Sequence, residues 1–450
     1  MSNFPHWPVR PTGDVFLVKG RIGWRNLRHS DFCADGPHLI TGMHIDSTGR
    51  VDWNSCFRIP RRKFDESPEI QVKVGDLVIT KDGTIGKVAR IDWLPGDTSL
   101  NAHLFLVRPI QPETCSARFA FHVFTSAVFR NFIETQKSGS TLAGLGEAKF
   151  VQFQFPLPTI KEQVLVSDVL DTLDTAIRET EALIDKLKAV KLGLLHDLLT
   201  RGIDPSGQLR PTQSEAPQLY KETPLGWIPR EWEVAQLVSL LADVDPAMRS
   251  GPFGSALLKE ELVEIGLPLL GIDNVHTERF IAEFKRCVTP EKFRQLSRYA
   301  VRPSDLMITI MGTVGRCCLV PDDLGLALSS KHTWTISLDQ DRYSPFLAML
   351  QVNYSPWVAQ HFARDQQGGT MMAIRSDTLR SLLLPVPSLE EQHAIEVRLR
   401  EVGNRIDAET AALEKMKLEK SALMDDLLTG RVRVTPLLKS VQQATVQMGT

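Results

Sequence analysis

The 450-residue sequence contains little that would mark a membrane-bound or exported protein. Its apolar runs are all shorter than the about 18 residues that a membrane-spanning helix needs. The opening MSNFPHWPVRPTGD lacks the basic and then apolar layout of a signal peptide. The six cysteines show no paired spacing of the kind that binds metal. We therefore expect a cytoplasmic protein without a membrane partner, in which Cys317 and Cys318 are buried free thiols.

Catalytic motifs are also missing. The sequence has no Asn-Pro-Pro-Tyr or Asp-Pro-Pro-Tyr segment for base methylation and no glycine fingerprint for S-adenosylmethionine. Its 11 histidines are scattered. The segment 83–87 is too short for a phosphate-binding loop, and Val88 stands where Ser or Thr would coordinate magnesium. These absences favour a non-catalytic chain without metal, cofactor or catalytic residues, over an enzyme with an unrecognised site in its first half.

Charge of either sign is not in excess, since 52 Lys and Arg face 54 Asp and Glu. A net charge of −2 does not mark the chain as a nucleic-acid-binding protein. Any binding of DNA by this chain alone should therefore be modest, with basic surface supplied by partners.

A long heptad pattern, present twice at an offset of 229 residues, organises the chain. In 156–200 and again in 385–429, apolar residues recur at alternating steps of four and three, with Lys191 and Lys420 among the polar interruptions. This spacing is typical of a coiled-coil seam. The predicted seam residues are Val166, Leu170, Leu173, Ile177, Ile184, Leu187, Leu194 and Leu198, followed by Ile395, Leu399, Val402, Ile406, Leu413, Met416, Leu423 and Leu427.

The same offset relates elements outside the helices. Gly75–Lys87 reads as a strand, a tight turn and a returning strand, and 304–316 repeats its Asp, Leu, Thr and Gly positions. The sequence thus predicts an α+β fold built by tandem duplication, with two globular α/β domains and two long helices that pair as an antiparallel intramolecular coiled coil. The predicted order is domain 1–155, helix 156–200, linker 201–223, domain 224–384, helix 385–429 and a loose tail 430–450.

Antiparallel pairing would place the two domains at opposite ends of the coil and relate them by a pseudo-twofold axis. A helix of about 38 residues is about 57 Å long, which corresponds to at most about 17 base pairs of DNA. A two-headed object of this symmetry suits a duplex. The pattern therefore indicates a molecular ruler whose two heads read different things.

The repeated motifs resemble the specificity subunit of type I restriction-modification systems. The resemblance rests on two Pro-x-Pro…Glu-Gln helix starts, two Asp-Leu-Leu-Thr helix ends and the GWIPREW segment at 226–232. No GWIPREW precedes the first domain, and we interpret Trp7-Pro8-Val9 as the counterpart of Trp232-Glu233-Val234, four residues out of register.

This resemblance implies that each globular domain is a target recognition domain for one half of a bipartite, asymmetric site in double-stranded DNA. The coil would set the spacer. Two methyltransferase subunits would dock and bring S-adenosylmethionine, and two restriction subunits could join and bring ATP and Mg chemistry. The alternative from another class is a two-headed protein-binding scaffold that does not recognise DNA.

Candidate DNA contacts are polar residues on loops, because base edges and phosphates need hydrogen-bond donors and acceptors. Any single one could equally be a solvated loop residue, and we interpret Gly83, Gly86, Gly312 and Gly315 as structural turns. The candidates in the first domain are Arg21, Trp24, Arg25, Lys81, Thr84, Lys137, Ser138, Ser140 and Thr141. The candidates in the second domain are Arg249, Ser250, Ser255, Thr313, Lys331, His332, Gln366, Gln367, Thr370 and Arg375.

The Glu-Gln pairs at 162–163 and 391–392 fall in the predicted first helical turn. An acidic residue is favoured there by the helix dipole. A role in docking another subunit is the alternative for these pairs.

Overall fold

A computed structural model describes residues 7–20, 31–137, 144–366 and 374–434. The chain divides into two compact units, one formed by 1–183 with 409–450 and the other by 184–408. Both boundaries fall inside the long helices, so each unit contains one globular domain together with a segment of each helix.

The first unit contains three small sheets and short helices that precede the first long helix. Its elements are β1 (Val9–Pro11), α1 (Thr12–Val15), β2 (Phe16–Gly20), β3 (His38–Ile40), β4 (Phe57–Arg58), α2 (Arg61–Asp65), β5 (Leu77–Thr80), β6 (Val88–Arg90), β7 (Thr98–Leu100), β8 (Leu104–Pro109), α3 (Ala117–Thr125), α4 (Ala127–Lys137), α5 (Glu147–Phe150), β9 (Gln154–Pro156) and α6 (Ile160–Thr200).

The second unit repeats this order after an additional hairpin. Its elements are β10 (Tyr220–Thr223), β11 (Gly226–Pro229), β12 (Glu233–Gln236), β13 (Met248–Ser250), β14 (Leu267–Leu270), β15 (Cys287–Val288), α7 (Pro290–Gln295), β16 (Leu306–Thr309), β17 (Cys317–Leu319), β18 (Leu328–Ser329), β19 (Thr333–Ile336), α8 (Pro345–Tyr354), α9 (Pro356–Gln366), α10 (Ser376–Arg380), β20 (Leu383–Val386) and α11 (Leu389–Leu428).

The sheets of the two units have the same topology. The order β2-β8-β5-β6 in the first unit corresponds to β13-β19-β16-β17 in the second, and both sheets are antiparallel. The order β4-β3-β7 corresponds to β15-β14-β18, and each of these sheets contains one parallel pair. The predicted duplication and α+β class are therefore confirmed.

The long helices pack against each other inside each unit. In the first unit Val166 and Leu170 share a buried cluster with Leu427, so the start of α6 meets the end of α11. In the second unit Leu198 shares a cluster with Ile395, so the end of α6 meets the start of α11. The pairing is antiparallel, and none of the predicted seam residues is exposed.

Burial extends beyond the seam near the helix ends. Leu195, Leu199, Met424 and Leu428 lie one position from seam residues and are also buried. They belong to the clusters that contain the domain cores. A heptad pattern alone does not predict this second buried face, because it arises where a globular domain covers the coil.

The interruptions at the two seam lysines are filled by ion pairs with different partners. Lys420 pairs with Asp174 on the facing helix. The residue equivalent to Asp174 in the other repeat is Gly403, which offers no carboxylate. Lys191 instead reaches Glu278, with 2.6 Å between Nζ and Oε2. Glu278 also accepts a hydrogen bond from the hydroxyl of Tyr354.

Glu278 occupies a turn conformation that favours glycine. Its φ is +61°, in the left-handed region, and Gly49 in the corresponding turn of the first unit has a φ of +76°. A side chain in this region costs about 1–2 kcal/mol. The glutamate is therefore accommodated at a cost, and its ion pair with the seam lysine provides a physical reason.

Parts of the predicted linker and the described end of the predicted tail are packed. In 201–223, Ile203, Arg210 and Tyr220 are buried. At the predicted tail, Val434 is only 1% exposed and joins the core of the first unit. The remaining tail residues, 435–450, lie outside the described residues.

Lys191→Met should destabilise the second unit by about 2 kcal/mol, because it leaves a half-buried carboxylate without its cation. Thermal unfolding of the full chain measures this as a lowered midpoint. The exposed Lys188→Met on the same helix is the matched control and should change little. Adding Glu278→Gln to Lys191→Met should recover part of the loss, and no recovery would contradict the ion-pair explanation.

Candidate nucleic-acid interface

Both strand–turn–strand elements are held by a threonine that closes the turn. Thr80 donates its hydroxyl hydrogen to the carbonyl of Thr84 at 2.5 Å. Thr309 makes the equivalent bond to the carbonyl of Thr313. The chain reverses between β5 and β6 over residues 81–87, and the backbone oxygens of both candidate threonines already accept a hydrogen bond. The N–H of Thr313 also donates to the carbonyl of Met311 at 2.9 Å, so Thr313 offers chiefly its side chain to a ligand.

Lys81 contacts described residues that flank two candidate segments of the first unit in sequence. Its carbonyl accepts a hydrogen bond from the N–H of Leu145 at 2.8 Å, and Leu145 follows the candidates at 137–141. Its ammonium group lies close to Gly20, the last described residue before the first candidate segment. The same group lies 5.2 Å from the ring centre of Phe105, a cation–π contact. The fold thus brings the Lys81 residue into contact with Gly20 and Leu145, which are far apart in sequence.

Other candidates of both units lie at the ends of the described ranges or outside them. The last residues of α4 and α9, Lys137 and Gln366, have a described backbone but not a described side chain. The candidates outside the described residues are Arg21, Trp24, Arg25, Ser138, Ser140, Thr141, Gln367 and Thr370.

We call the loops at this end of the four-stranded sheet the rim, namely 81–87 and 101–103 in the first unit and 310–316 and 330–332 in the second. The rim of the second unit carries Lys331 and His332. The carbonyl of His332 accepts from the N–H of Ile310 at 3.1 Å, as the carbonyl of His103 accepts from Lys81 in the first unit at 2.9 Å. Lys331 is exposed. Burial, followed by the nearby charges of Lys331 and Arg286, lowers the pKa of His332. The imidazole is therefore favoured in its neutral form, which can both donate and accept a hydrogen bond.

Ser255 and Arg375 are exposed, as a ligand contact requires. Ser255 lies in a short 3-10 turn at Gly254–Ala256, and Arg375 precedes α10.

Arg249 is a wrong prediction, because it is a structural residue. Its side chain is only about 2% exposed and forms an ion pair with Asp305 on the same sheet. It also donates to the carbonyl of Ala300 at 2.6 Å and to the hydroxyl of Ser337 at 3.0 Å. Its neighbour Ser250 is buried in β13 as well. Neither side chain is available to DNA.

The error has a physical reason. Asp305 is the repeat of Asp76, which holds Arg108 at 2.6 Å in the first unit. In the second unit the position of Arg108 is taken by Ser337, and the cation comes from a different strand, β13. Sequence spacing does not reveal such a change of strand, so an interior arginine is mistaken for a loop arginine.

A cluster around Asp171 joins α3 to α6. The imidazole of His122 and the guanidinium of Arg118 each lie 2.8 Å from the Asp171 carboxylate, and Arg90 lies at 3.4 Å. Burial alone would raise the pKa of Asp171, but these hydrogen bonds and charges outweigh it and hold the pKa far below its ordinary value. With Asp174, the pair His122–Asp171 has the spacing of a metal site. Arg90 and Arg118 already supply positive charge to Asp171. The cluster therefore suits an ion-pair link between α3 and α6 better than a metal site.

A clasp between a tryptophan and a glutamate occurs at the start of each long helix. The indole N–H of Trp232 donates to Glu391 at 3.0 Å, and that of Trp7 donates to Glu162 at 3.3 Å. The strand register agrees, since Val9 pairs with Pro156 as Val234 pairs with Pro385. Trp7 is therefore the counterpart of Trp232, as the sequence predicted.

An arginine completes each clasp, and it comes from a different part of the chain in each unit. Arg210, within 201–223, binds Glu391 with Nη2 at 3.0 Å from Oε2. Arg433, after α11, lies 3.8 Å from Glu162 and stacks 4.5 Å above the Trp7 ring. The segment after α11 thus supplies the arginine of the clasp in the first unit, as the segment after α6 does in the second.

The glutamines of the Glu-Gln pairs have a role that sequence reasoning missed. Gln163 is fully buried, accepts from the N–H of Ser116 at 2.9 Å and donates to the carbonyl of Thr114 at 2.9 Å. Gln392 does the same with Ser344 at 2.8 Å and Arg342 at 3.0 Å. The recurrence of Gln at both helix starts was the available signal. Each amide fastens the loop before α3 or α8 to the coil.

Comparison with known proteins agrees with this architecture. Residues 7–189 match the family model described as the type I restriction modification DNA specificity domain. A putative type I restriction enzyme MjaX specificity subunit of Methanocaldococcus jannaschii is 23% identical over 95% of this chain and 94% of its own. The MjaVIII specificity subunit of the same organism is 24% identical over 68% of each chain.

Two solved structures share the fold. The S subunit of a type I restriction-modification system from M. genitalium covers 95% of this chain and 97% of its own, with a TM-score of 0.57 at 14% identity. A chain from a study of complex assembly and conformational transition of the type I R-M system covers 96% of this chain and 100% of its own, with a TM-score of 0.55 at 16% identity. Residues 7–189 thus match a DNA specificity domain model, and the chain as a whole is similar in sequence to specificity subunits of type I restriction-modification systems.

Among the helices in the described ranges, none is both long and apolar enough to cross a membrane.

Gln392→Ala should destabilise the second unit by about 2 kcal/mol, because the buried backbone groups that the amide now pairs would lose their partners. The lowered unfolding midpoint of the full chain measures the effect. His393→Ala, at the exposed neighbouring position of the same helical turn, is the control. Equal midpoints for the two variants would show that the amide bonds do not hold the domain.

Proposed function

We propose that the chain is the non-catalytic DNA-recognition subunit of a type I restriction-modification complex, in which each globular domain reads one half of a bipartite, asymmetric site. The observation that carries the proposal is the combination of one scaffold used twice with two different rims. Sheet topology, glutamine bonds and tryptophan clasps recur in both units. Among the described residues, the exposed groups beside these elements differ in part, although His103 and His332 occupy equivalent positions.

The two rims differ in the groups that they present. The first unit has Lys81, and beside it Asp82 pairs with His103 at 3.1 Å. The second unit has Ile310 at the position of Lys81, and its cation is Lys331 on another loop. Base edges are distinguished by the placement of donors and acceptors. Two unlike rims on a common scaffold are what an asymmetric site with two different halves requires.

The partners are inferred from the similarity to specificity subunits. Named relatives are specificity subunits, and one structural neighbour comes from a study of complex assembly. Two methyltransferase subunits would supply S-adenosylmethionine, and two restriction subunits, where present, would supply ATP and Mg chemistry. Exposed apolar residues on the long helices, Leu192 at 59% and Leu418 at 72%, are suitable contact points for such subunits.

The alternative of a protein-binding scaffold agrees with the balanced net charge of −2. It differs in one measurable respect. A complex that binds DNA through phosphates loses affinity steeply as salt increases, whereas a protein scaffold has no such dependence.

Methylome sequencing tests recognition directly. Cells that carry this chain with its methyltransferase partner should show a bipartite methylated motif, and deletion of this chain should abolish it. Unchanged methylation after deletion, or the absence of any chain-dependent motif with an active methyltransferase, would contradict the proposal.

A matched insertion tests whether the coil sets the spacer. One heptad inserted after Thr180 and one after Glu409, which are repeat-equivalent positions, lengthen both helices by about 10 Å. The methylated half-sites should then lie about 3 base pairs further apart.

The control for this test is a two-residue insertion at each position, which rotates the seam by about 200° and should abolish methylation. A heptad variant that methylates the original motif with its original spacer would refute the ruler.

A further inference from the structure

A cleft in the second unit has a composition that the fold does not explain. It encloses about 250 Å³ between the loop after β13, the segment 257–262 and the loop before β19. Four of its lining residues are basic or titratable to a cation: Lys259, Arg286, Lys331 and His332. None of the lining residues is acidic.

Most of this positive charge is not neutralised. Arg286 pairs with Asp273 outside the cleft. For Lys259 and Lys331 the described part of the chain records no carboxylate within ion-pair distance, and both are exposed. Arg286, Lys331 and His332 all line this one cleft. Cations held together in this way repel one another unless an anion lies between them.

The cleft is also lined by apolar side chains. These are Leu257, Leu262 and Leu269, together with Leu258, of which 49% of the surface is exposed. A cleft lined by both cations and apolar side chains fits a ligand that carries a phosphate beside a carbon-rich ring. The phosphate and deoxyribose of a nucleotide unit have this division.

The cleft lies beside the candidate rim. Its two bounding loops are joined where the N–H of Gly251 donates to the carbonyl of Ser330 at 3.1 Å. These loops belong to β13 and β19, the strands that correspond to β2 and β8 in the first unit. There the rim cation is Lys81, which follows a different strand, β5.

We propose that this cleft holds one phosphodiester of a DNA strand, with Lys259 and Lys331 on the phosphate and Leu258 and Leu262 against the adjoining sugar. The inference rests on the proposed function of the second unit as a half-site reader. A phosphate is present at every step of DNA, so the cleft contributes affinity and register and does not select the base.

The test uses the full chain assembled with its methyltransferase partner. The double substitution Lys259→Gln with Lys331→Gln should weaken binding to cognate and unrelated duplexes by the same factor. The slope of log affinity against log salt should fall by about 1, since both lysines act on one phosphate and each neutralised phosphate contributes about 0.9. The methylated motif should stay the same.

The matched control removes two positive charges from the same unit outside the cleft, by Lys186→Gln with Lys221→Gln. Its salt slope should equal that of the unchanged complex. A cleft variant whose slope equals that of the control overturns the inference, and so does a changed base preference in the second half-site. If instead the unchanged complex shows no chain-dependent DNA recognition, the proposed function itself fails.

Acetylation of lysines on the unchanged complex gives a second readout that needs no substitution. Cognate duplex should protect Lys259 and Lys331 from acetylation, whereas millimolar inorganic phosphate or a free deoxynucleotide should protect them much less. Protection by inorganic phosphate without protection by duplex would assign the cleft to a small anion and overturn the inference.

Discussion

The attachment of each globular domain to the first turn of a long helix is the constraint on which the rest depends. A helix of this length can position a domain only if the junction does not bend, and the junction here consists of directional bonds. Gln163 and Gln392 each bind backbone groups of the loop that precedes α3 or α8, and both are almost completely buried. Hydrogen bonds of this kind add modestly to stability, but leaving their buried partners unpaired is costly. They therefore favour one orientation of domain and helix over others.

The clasps explain why two segments without periodicity are nonetheless ordered. Arg210 and Arg433 come from segments that look like a linker and a tail, yet each lies against the glutamate that its unit's tryptophan also binds. Gly202 comes so close to Trp232 that a Cβ would lie 2.4 Å from the ring, and its φ is +65°. A short, polar, proline-broken stretch can thus be fixed by a few contacts with distant residues, which composition does not reveal.

The sequence predicted what repeats and missed what depends on tertiary partners. The seam residues, the helices near 160–200 and 389–428 and the counterpart role of Trp7 follow from spacing at a constant offset. Arg249 could not be placed correctly from spacing. The equivalent carboxylates Asp76 and Asp305 each bind an arginine, but the arginine lies on a different strand in each unit. The grouping of Lys259 with Lys331 was also invisible, because 72 positions separate residues that line one cleft.

The asymmetry of the seam lysines shows how a duplicated scaffold can serve two unlike domains. Asp174 forms an ion pair with Lys420 across the coil. The position equivalent to Asp174 in the other repeat is Gly403, so Lys191 has no carboxylate partner at that position. Glu278 fills that need from a turn of the second domain, in a backbone conformation that disfavours a side chain. The second domain is thereby tied to the coil by an ion pair that the first domain replaces with the Asp171 cluster. The two units therefore differ both in their rims and in the ion pairs that link each domain to the coil. The glutamine hydrogen bonds are the same in both units.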